Sequence, residues 1–318
     1  MSPDLAVVIP TLRRPEGLER AVRSALAQSG VADRLREIII VDNDPGASAR
    51  DAATRLAALS SIPVIWRHAP RPGVATARNE GLSATTAPLI AFLDDDEAAS
   101  PGWLAALLSA QASTGADAVF GPIRGRVPDG TGWTRPYLEC FFGRKGPDQT
   151  QMIDTPYGCG NSLLVRATAL PGSAPFNVSA DQSGGEDDVL FAALKARGGR
   201  FGWACDAWVD EFAPPHRATL RYAMARAFAY GQGPSQTAAD AQDWLSVARW
   251  MAIGAAQSIV WGAAALVLTL IASPRRAAML DRSARGLGKL FWMKGFEPHF
   301  YGAGELARLE RQAAKALT

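Results

Sequence analysis

Leu89-Ile90-Ala91-Phe92-Leu93 runs directly into Asp94-Asp95-Asp96-Glu97. Five apolar residues without polar alternation read as a strand covered on both faces, as in a parallel sheet between helix layers. Four acids in a row repel one another by kilocalories unless a cation sits among them. In open α/β sheets, ligands bind beyond the carboxyl ends of the strands. This one stretch therefore points to both a fold and the place of a site.

Similar apolar runs occur at residues 5–9, 37–41, 62–66 and 116–120. Helical patterns separate them, at about 15–30, 48–59, 74–83 and 101–113. The first of these begins at Pro15, carries Leu18, Val22 and Leu26 on one face, and stops at Gly30. Strand–helix repetition of this kind predicts a mostly parallel sheet with right-handed crossovers, flanked by helices. From 122 to 156 the pattern dissolves into frequent Gly and Pro with Trp133, Tyr137, Phe141 and Phe142 interspersed, which reads as an irregular segment. Helix returns at about 186–196 and 217–231.

The other strand ends are polar as well: Pro10-Thr11-Leu12 after the first and Asp42-Asn43-Asp44 after the second. A hard divalent cation, Mg²⁺ or Mn²⁺, held between carboxylate and phosphate oxygens, suits such an acidic edge. The alternative is a solvated acidic turn capping the next helix. A second acidic set, Gly184-Gly185-Glu186-Asp187-Asp188, opens a helix. Acids there complement the helix dipole; equally, one of them is placed to act as a general base.

Taken together, Val8-Ile9-Pro10-Thr11 with Arg13, Val41-Asp42-Asn43, Gly73-Val74-Ala75-Thr76-Ala77-Arg78-Asn79, Phe92-Leu93-Asp94-Asp95-Asp96 with Pro101 and Trp103, and Gly185-Glu186-Asp187 resemble the inverting family 2 glycosyltransferases of GT-A fold. Each piece is weak alone, but they occur in the family's order over about residues 5–230. The resemblance implies that Pro10, Thr11, Arg13, Asp42, Arg78, Asp94 and Asp95 bind the nucleotide-sugar donor, with UDP as its nucleotide. It implies Asp96 on the metal, Asp187 as catalytic base and Glu186 in support. The triple Asp94-Asp95-Asp96 and the pair Asp187-Asp188 leave the register open by one residue. The Gln-x-x-Arg-Trp motif of processive members is missing. His216, Arg217 and Arg226 stand in that region, as candidates for diphosphate or acceptor contacts or as structural ion pairs, so addition of a single sugar is expected.

Two other readings compete. A sugar-nucleotidyltransferase needs a Gly-rich phosphate loop after the first strand, where Thr11-Leu12-Arg13-Arg14-Pro15 stands instead. A non-catalytic saccharide- or nucleotide-binding protein has no need of both acidic sets. No G-x-G-x-x-G follows the first strand and no P-loop is present. His68, His216 and His299 are too scattered for a metal triad, and the three cysteines form neither a disulfide framework nor a zinc motif.

At 48% apolar and 20% charged the chain can bury a core, and its net charge of +2 argues against nucleic acid. The charge is uneven. Residues 1–215 carry 20 Lys/Arg and 25 Asp/Glu, a net of −5; residues 216–318 carry 13 and 6, a net of +7. Residues 250–272 hold no charge over 23 positions, and Arg275, Arg276, Arg282, Arg285 and Lys289 follow. A bilayer needs about 20 apolar residues, so a spanning helix, a re-entrant or interfacial helix, and a buried soluble helix all fit. A single crossing separates the basic tail from a catalytic half that must meet cytoplasmic nucleotide-sugars. A re-entrant or interfacial arrangement avoids that conflict. The expected organisation is a catalytic domain over 1–232 and a helical, membrane-associating region over 233–318, at the cytoplasmic face of the membrane. The expected acceptor is a saccharide, lipid-linked, in surface or exopolysaccharide assembly.

Overall fold

The computed structural model describes residues 4–31, 33–181, 184–298 and 300. In chain order the elements are β1 (Leu5–Thr11), α1 (Pro15–Leu26), β2 (Leu35–Asp42), α2 (Arg50–Ala58), β3 (Val64–His68), α3 (Val74–Ser83), β4 (Leu89–Phe92), β5 (Glu97–Ala99), α4 (Trp103–Thr114), β6 (Ala118–Phe120) and β7 (Ile123–Arg126). There follow α5 (Arg135–Phe142), β8 (Gln151–Ile153), β9 (Ser162–Val165), α6 (Arg166–Ala169), α7 (Glu186–Ala196), β10 (Phe201–Trp203), β11 (Val209–Phe212), α8 (Leu220–Asp240), α9 (Trp244–Leu270) and α10 (Arg276–Leu290). His299 and residues 301–318 of the expected C-terminal region lie outside the described residues.

The chain forms two compact units that interleave in sequence. One takes the chain up to Arg124 together with Arg144–Glu211; the other takes Gly125–Gly143 and Phe212–Pro298. In the first unit an eight-stranded sheet runs in the order β3-β2-β1-β4-β9-β6-β10-β8. The pairs β3–β2, β2–β1, β1–β4 and β6–β10 are parallel. The expectation of a mostly parallel sheet between helices is met. Its apolar runs are continuous because both faces are covered: Leu5, Val7 and Ile9 pack with Leu18 and Val22 of α1 and Leu104 and Leu107 of α4. Ala6 and Val8 pack on the opposite face with Ala75 and Leu82 of α3 and with Leu190 and Phe191 of α7. Each large aliphatic side chain so buried contributes roughly 1.5–3 kcal/mol.

Two features differ from the expectation. The strand β9 runs antiparallel between β4 and β6, with Ser162 level with Phe92 and Phe120. Reversing that one strand delivers its amino end, and the loop before it, to the edge where β1, β2 and β4 end. The irregular segment also contains ordered pieces, including β7, α5 and β8, each short enough to be masked by its Gly and Pro.

The second unit is built on α8, α9 and α10. An expected boundary at 232/233 falls inside α8, which continues to Asp240 despite Pro234. Gly231-Gln232-Gly233-Pro234 looks like a breaker, yet tertiary contacts carry the helix through it. Gly231 lies against the Arg285 carbonyl, where a Cβ would collide with backbone. The Ser235 hydroxyl donates to the Lys289 carbonyl at 3.0 Å. The charge-free stretch forms most of α9, which has a mean hydropathy of 1.8 and is long and apolar enough to cross a membrane. Its flank toward α10 is lined by small residues: a Cβ on Gly286 would meet the Ser258 Oγ at 2.6 Å, and Ser283 donates to the Ser258 carbonyl at 3.1 Å. Only 11% of its most apolar window is buried.

Candidate active site

Register brings the site together. Thr11 pairs with Asp42 and Asp42 with His68, so the ends of three parallel strands lie level. The chain leaves β4 two residues before Asp94, on the same edge. Asp94 and Asp96 are partly exposed, whereas Asp95 is buried. The Asp95 carboxylate accepts from the Thr11 hydroxyl at 2.8 Å and from Arg14 Nη1 at 2.9 Å. That same nitrogen reaches Asp96 Oδ2 at 2.7 Å. Glu97 is also buried, and its Oε2 accepts the Asp94 N–H at 2.9 Å. Burial first, then Asp94 and Glu211, push the Glu97 carboxyl well up.

Asp42 is fully buried as well. One of its oxygens accepts the Ala49 N–H at 2.8 Å and the other the Asp44 N–H at 3.2 Å. It thereby shapes the loop after β2. His68 Nε2 lies 2.9 Å from the Asp44 carbonyl, and its ring stacks on Trp66. Arg13 holds a left-handed backbone, φ 54°, and its Nε donates to Asp44 Oδ1 at 2.9 Å. A non-glycine residue in that region is uncommon and marks a constrained position. Of the seven residues expected at the donor, Thr11, Asp42 and Asp95 thus turn inward. Pro10, Arg13 and Asp94 keep part of their surface.

Arg78 turns inward too, for a different reason. Its Nη1 pairs with Glu186, its Nη2 lies 3.6 Å from Asp94 Oδ1, and its guanidinium sits between the rings of Phe92 and Phe176 at 5.8 and 5.6 Å. Burial opposes the charge of Arg78, but Cys159, Glu186, Asp94 and Asp187 around it more than compensate, and the group stays cationic. Its helix is pinned at the start. Asn43 accepts the Gly73 N–H at 2.6 Å, and Asp181 accepts from the Thr76 N–H and hydroxyl at 3.0 and 2.6 Å.

Gly184 and Gly185, both left-handed at φ 81° and 84°, turn the chain into α7 so that Glu186 enters the interior. Asp187 follows at half exposure and Asp188 is exposed. Asp187 Oδ2 accepts the Cys159 N–H at 3.0 Å. The loop before β9 thus lies between the two acidic sets: a Cβ on Gly160 would stand 2.6 Å from Asp94 Oδ2, and one on Gly158 would stand 3.2 Å from Asp187 Oδ2. Glycine is needed here because backbone passes within van der Waals distance of carboxylates. Arg144 holds the loop from beneath through the Gly158 and Gly160 carbonyls at 3.0 and 2.9 Å. The Asn161 amide bonds Trp103 Nε1 and the Pro122 and Ala207 carbonyls.

The unit therefore sets Asp94 and Asp187 against one loop, with Arg78 tying Asp94 to Glu186, while Asp96 beside them is held by Arg14. Burial raises the Asp94 carboxyl most, Arg78 opposes, and Asp96, Asp95 and Asp187 add repulsion, leaving it pushed up to about 6. Among the described residues no three His, Cys, Asp or Glu side chains converge on one cation position. One or two carboxylates at a strand edge nevertheless fit Mg²⁺ or Mn²⁺, which complete their shell with phosphate and water oxygens. Sequence reasoning missed Arg14, Asp181 and Arg144. Arg14 has a signal in the Arg13-Arg14 pair after β1. Asp181 acts across 105 positions and Arg144 across an irregular loop, and neither carries one. His216, Arg217 and Arg226 belong to the second unit. There the Arg217 guanidinium lies 5.8 Å from the Tyr222 ring, and Arg226 donates to the Tyr230 hydroxyl at 2.7 Å.

Comparison with known proteins identifies the family. The family model described as glycosyl transferase family 2 matches residues 6–171. The succinoglycan biosynthesis protein ExoM of Rhizobium meliloti is 34% identical over 302 residues, 93% of this chain and 95% of that protein. A validoxylamine A glucosyltransferase of Streptomyces hygroscopicus subsp. limoneus is 33% identical over 110 residues, 35% of this chain and 24% of that one. Among solved structures, the mannosyltransferase PcManGT from Pyrobaculum calidifontis, in complex with GDP-Man and Mn²⁺, shares the fold. It superposes with a TM-score of 0.61 at 17% identity, over 92% of this chain and 88% of that one. With its parallel sheet, its acidic strand edge and a relative matched along nearly its whole length, the chain belongs to glycosyl transferase family 2 and is a glycosyltransferase.

Proposed function

We propose that the enzyme transfers one sugar, with inversion, from a nucleoside-diphosphate sugar to an acceptor hydroxyl on a lipid-linked saccharide, in exopolysaccharide assembly at the cytoplasmic face of the membrane. The observation that carries the chemistry is the Gly158–Asn161 loop, which has Asp94 against Gly160 and Asp187 bonded to Cys159. A donor-holding carboxylate and a candidate base thus face the same short stretch of backbone. Support for the pathway comes from ExoM, whose name assigns it to succinoglycan biosynthesis. Support for a divalent cation comes from PcManGT, which was solved with Mn²⁺ and GDP-Man.

In this reading Asp187 takes the proton of the acceptor hydroxyl. The freed oxygen lone pair forms the bond to the anomeric carbon, and the bond from that carbon to the β-phosphate oxygen breaks with its electrons on the leaving diphosphate. Attack from the face opposite the leaving group inverts the configuration. Asp96, with Asp94 beside it, would hold Mg²⁺ or Mn²⁺, which when bound supplies the charge that stabilises the departing diphosphate. Arg13 and Pro10 stay open to the nucleotide, while Thr11, Asp42 and Asp95 fix the loops that receive it. Arg78 and Glu186 act as positioning residues, tying Asp94 to the start of α7. Asp187 rather than Asp188 is taken as the base, because Asp187 accepts the Cys159 N–H of the loop. His216, Arg217 and Arg226 are candidates for acceptor or diphosphate contacts.

The test is to incubate the purified full chain with UDP- and GDP-sugars and Mn²⁺ or Mg²⁺, with and without chelator, beside Asp96→Ala. Release of nucleoside diphosphate that needs metal and is lost in the variant is the expected result. Release that survives both chelator and substitution would remove the cation and Asp96 from the mechanism.

A further inference from the structure

We propose that the second unit carries a binding site for the phosphate-bearing head of a membrane lipid, in the cleft between α5 and the α8–α10 pair. This rests on the membrane-associated reading above and names the surface and the lipid chemistry that reading lacks. The cleft has a volume of about 310 Å³ and is lined by Tyr137, Phe141, Tyr230, Asp281, Arg282 and Arg285, among others. That is room for a phosphate ester head and not for an acyl chain.

The side chains are arranged for an anion. Asp281, the one acid in the lining, is already engaged: it accepts from the Tyr137 hydroxyl at 3.0 Å and from Arg285 Nε at 2.8 Å. The Arg285 guanidinium also lies 5.3 Å from the Tyr230 ring, and its ion pair with Asp281 is made through Nε. Arg282 is exposed, stacks at 4.5 Å on Trp261 of α9, and has no carboxylate within salt-bridge distance among the described residues. Nearby, Arg276 stacks at 3.7 Å on Trp133. A guanidinium laid flat on a ring keeps its N–H edge free, and that planar fork matches two phosphate oxygens.

The neighbouring helix identifies the class of ligand. Through Trp261 the arginine face of α10 adjoins α9, whose Ile259, Val260, Leu266, Val267 and Leu270 are exposed by 58–80%. Phosphate-reading arginines beside a bare apolar face, with tryptophan at the junction, suit a molecule with a phosphate head and a hydrocarbon tail. A soluble phosphate compound has no use for the apolar face.

The experiment is co-sedimentation of the full chain with vesicles of phosphatidylcholine alone and of phosphatidylcholine containing phosphatidylglycerol. The variants are Arg282→Gln, Arg285→Gln and, as a charge-matched control in α1, Arg23→Gln. Wild type should prefer the anionic vesicles. Each cleft substitution should weaken that binding about fivefold, Arg23→Gln should not, and binding to phosphatidylcholine should be the same in all. Arg282→Gln removes no ion pair and guards against a folding defect at Arg285. The inference is overturned if Arg282→Gln binds anionic vesicles like wild type, or if Arg23→Gln loses as much. It is equally overturned if inorganic phosphate at matched ionic strength displaces the protein, which would mark a free-phosphate site. Wild type that binds neither vesicle removes the membrane reading together with this inference. Absence of nucleotide release with the lipid preference intact would instead count against the catalytic mechanism alone.

Discussion

Arg78 has two carboxylates and two aromatic rings around it and almost no contact with water. Removing one partner of a buried ion pair leaves the other charge uncompensated, at a cost of about 3 kcal/mol. Arg78→Met is therefore expected to lower the thermal unfolding midpoint by several degrees and to weaken donor binding. An unchanged melting curve would show that Glu186 and Asp94 do not depend on it. The acids at this edge, Asp42 and Asp94 to Glu97, are readable from strand ends, because an apolar run that stops at an acid announces itself; Arg78 comes from the family resemblance and Arg14 from neither. Which way each side chain turns is not readable there. Thr11 and Asp95 bond to each other across 84 positions, and Asp42 is consumed by backbone N–H groups of its own following loop.

At the scale of elements, the antiparallel strand β9 does most to assemble the site, since it brings the loop before it between Asp94 and Asp187. Gly160 is the tight point of that loop. Gly160→Ala is expected to introduce about 1–3 kcal/mol of strain, read by calorimetry as roughly tenfold or greater weakening of nucleoside diphosphate binding with the circular dichroism spectrum retained. Unaltered binding would mean that the loop has slack and does not set the spacing of the carboxylates. The parallel strands and helices before residue 120 are legible from period and punctuation. β9 is not, because Ser162-Leu163-Leu164-Val165 is too short to carry a period. The pattern ends α8 too early because a Gly-Pro pair signals a stop unless packing from α10, invisible in sequence, carries the helix across it.

For the molecule as a whole, a net-negative first part holds the carboxylate edge and a net-positive later part holds the apolar α9. That division is visible in charge and hydropathy alone. The exposed side of α9 should be replaceable without loss of fold: Ile259→Lys with Leu266→Lys is expected to leave the thermal midpoint nearly unchanged, since surface substitutions cost about 0.5 kcal/mol or less. The same pair should abolish sedimentation with phosphatidylcholine vesicles; a strongly lowered midpoint would instead make α9 a core helix. The central claim is that Asp187 removes the acceptor proton at a site whose donor is held by the β4 edge. The most direct measurement is kcat for sugar transfer by Asp187→Asn, alongside the donor Kd of the same variant. A loss of about a thousandfold in kcat with donor Kd unchanged is the predicted result. Near-normal turnover would contradict the account, and the base would have to be sought elsewhere along the acidic edge.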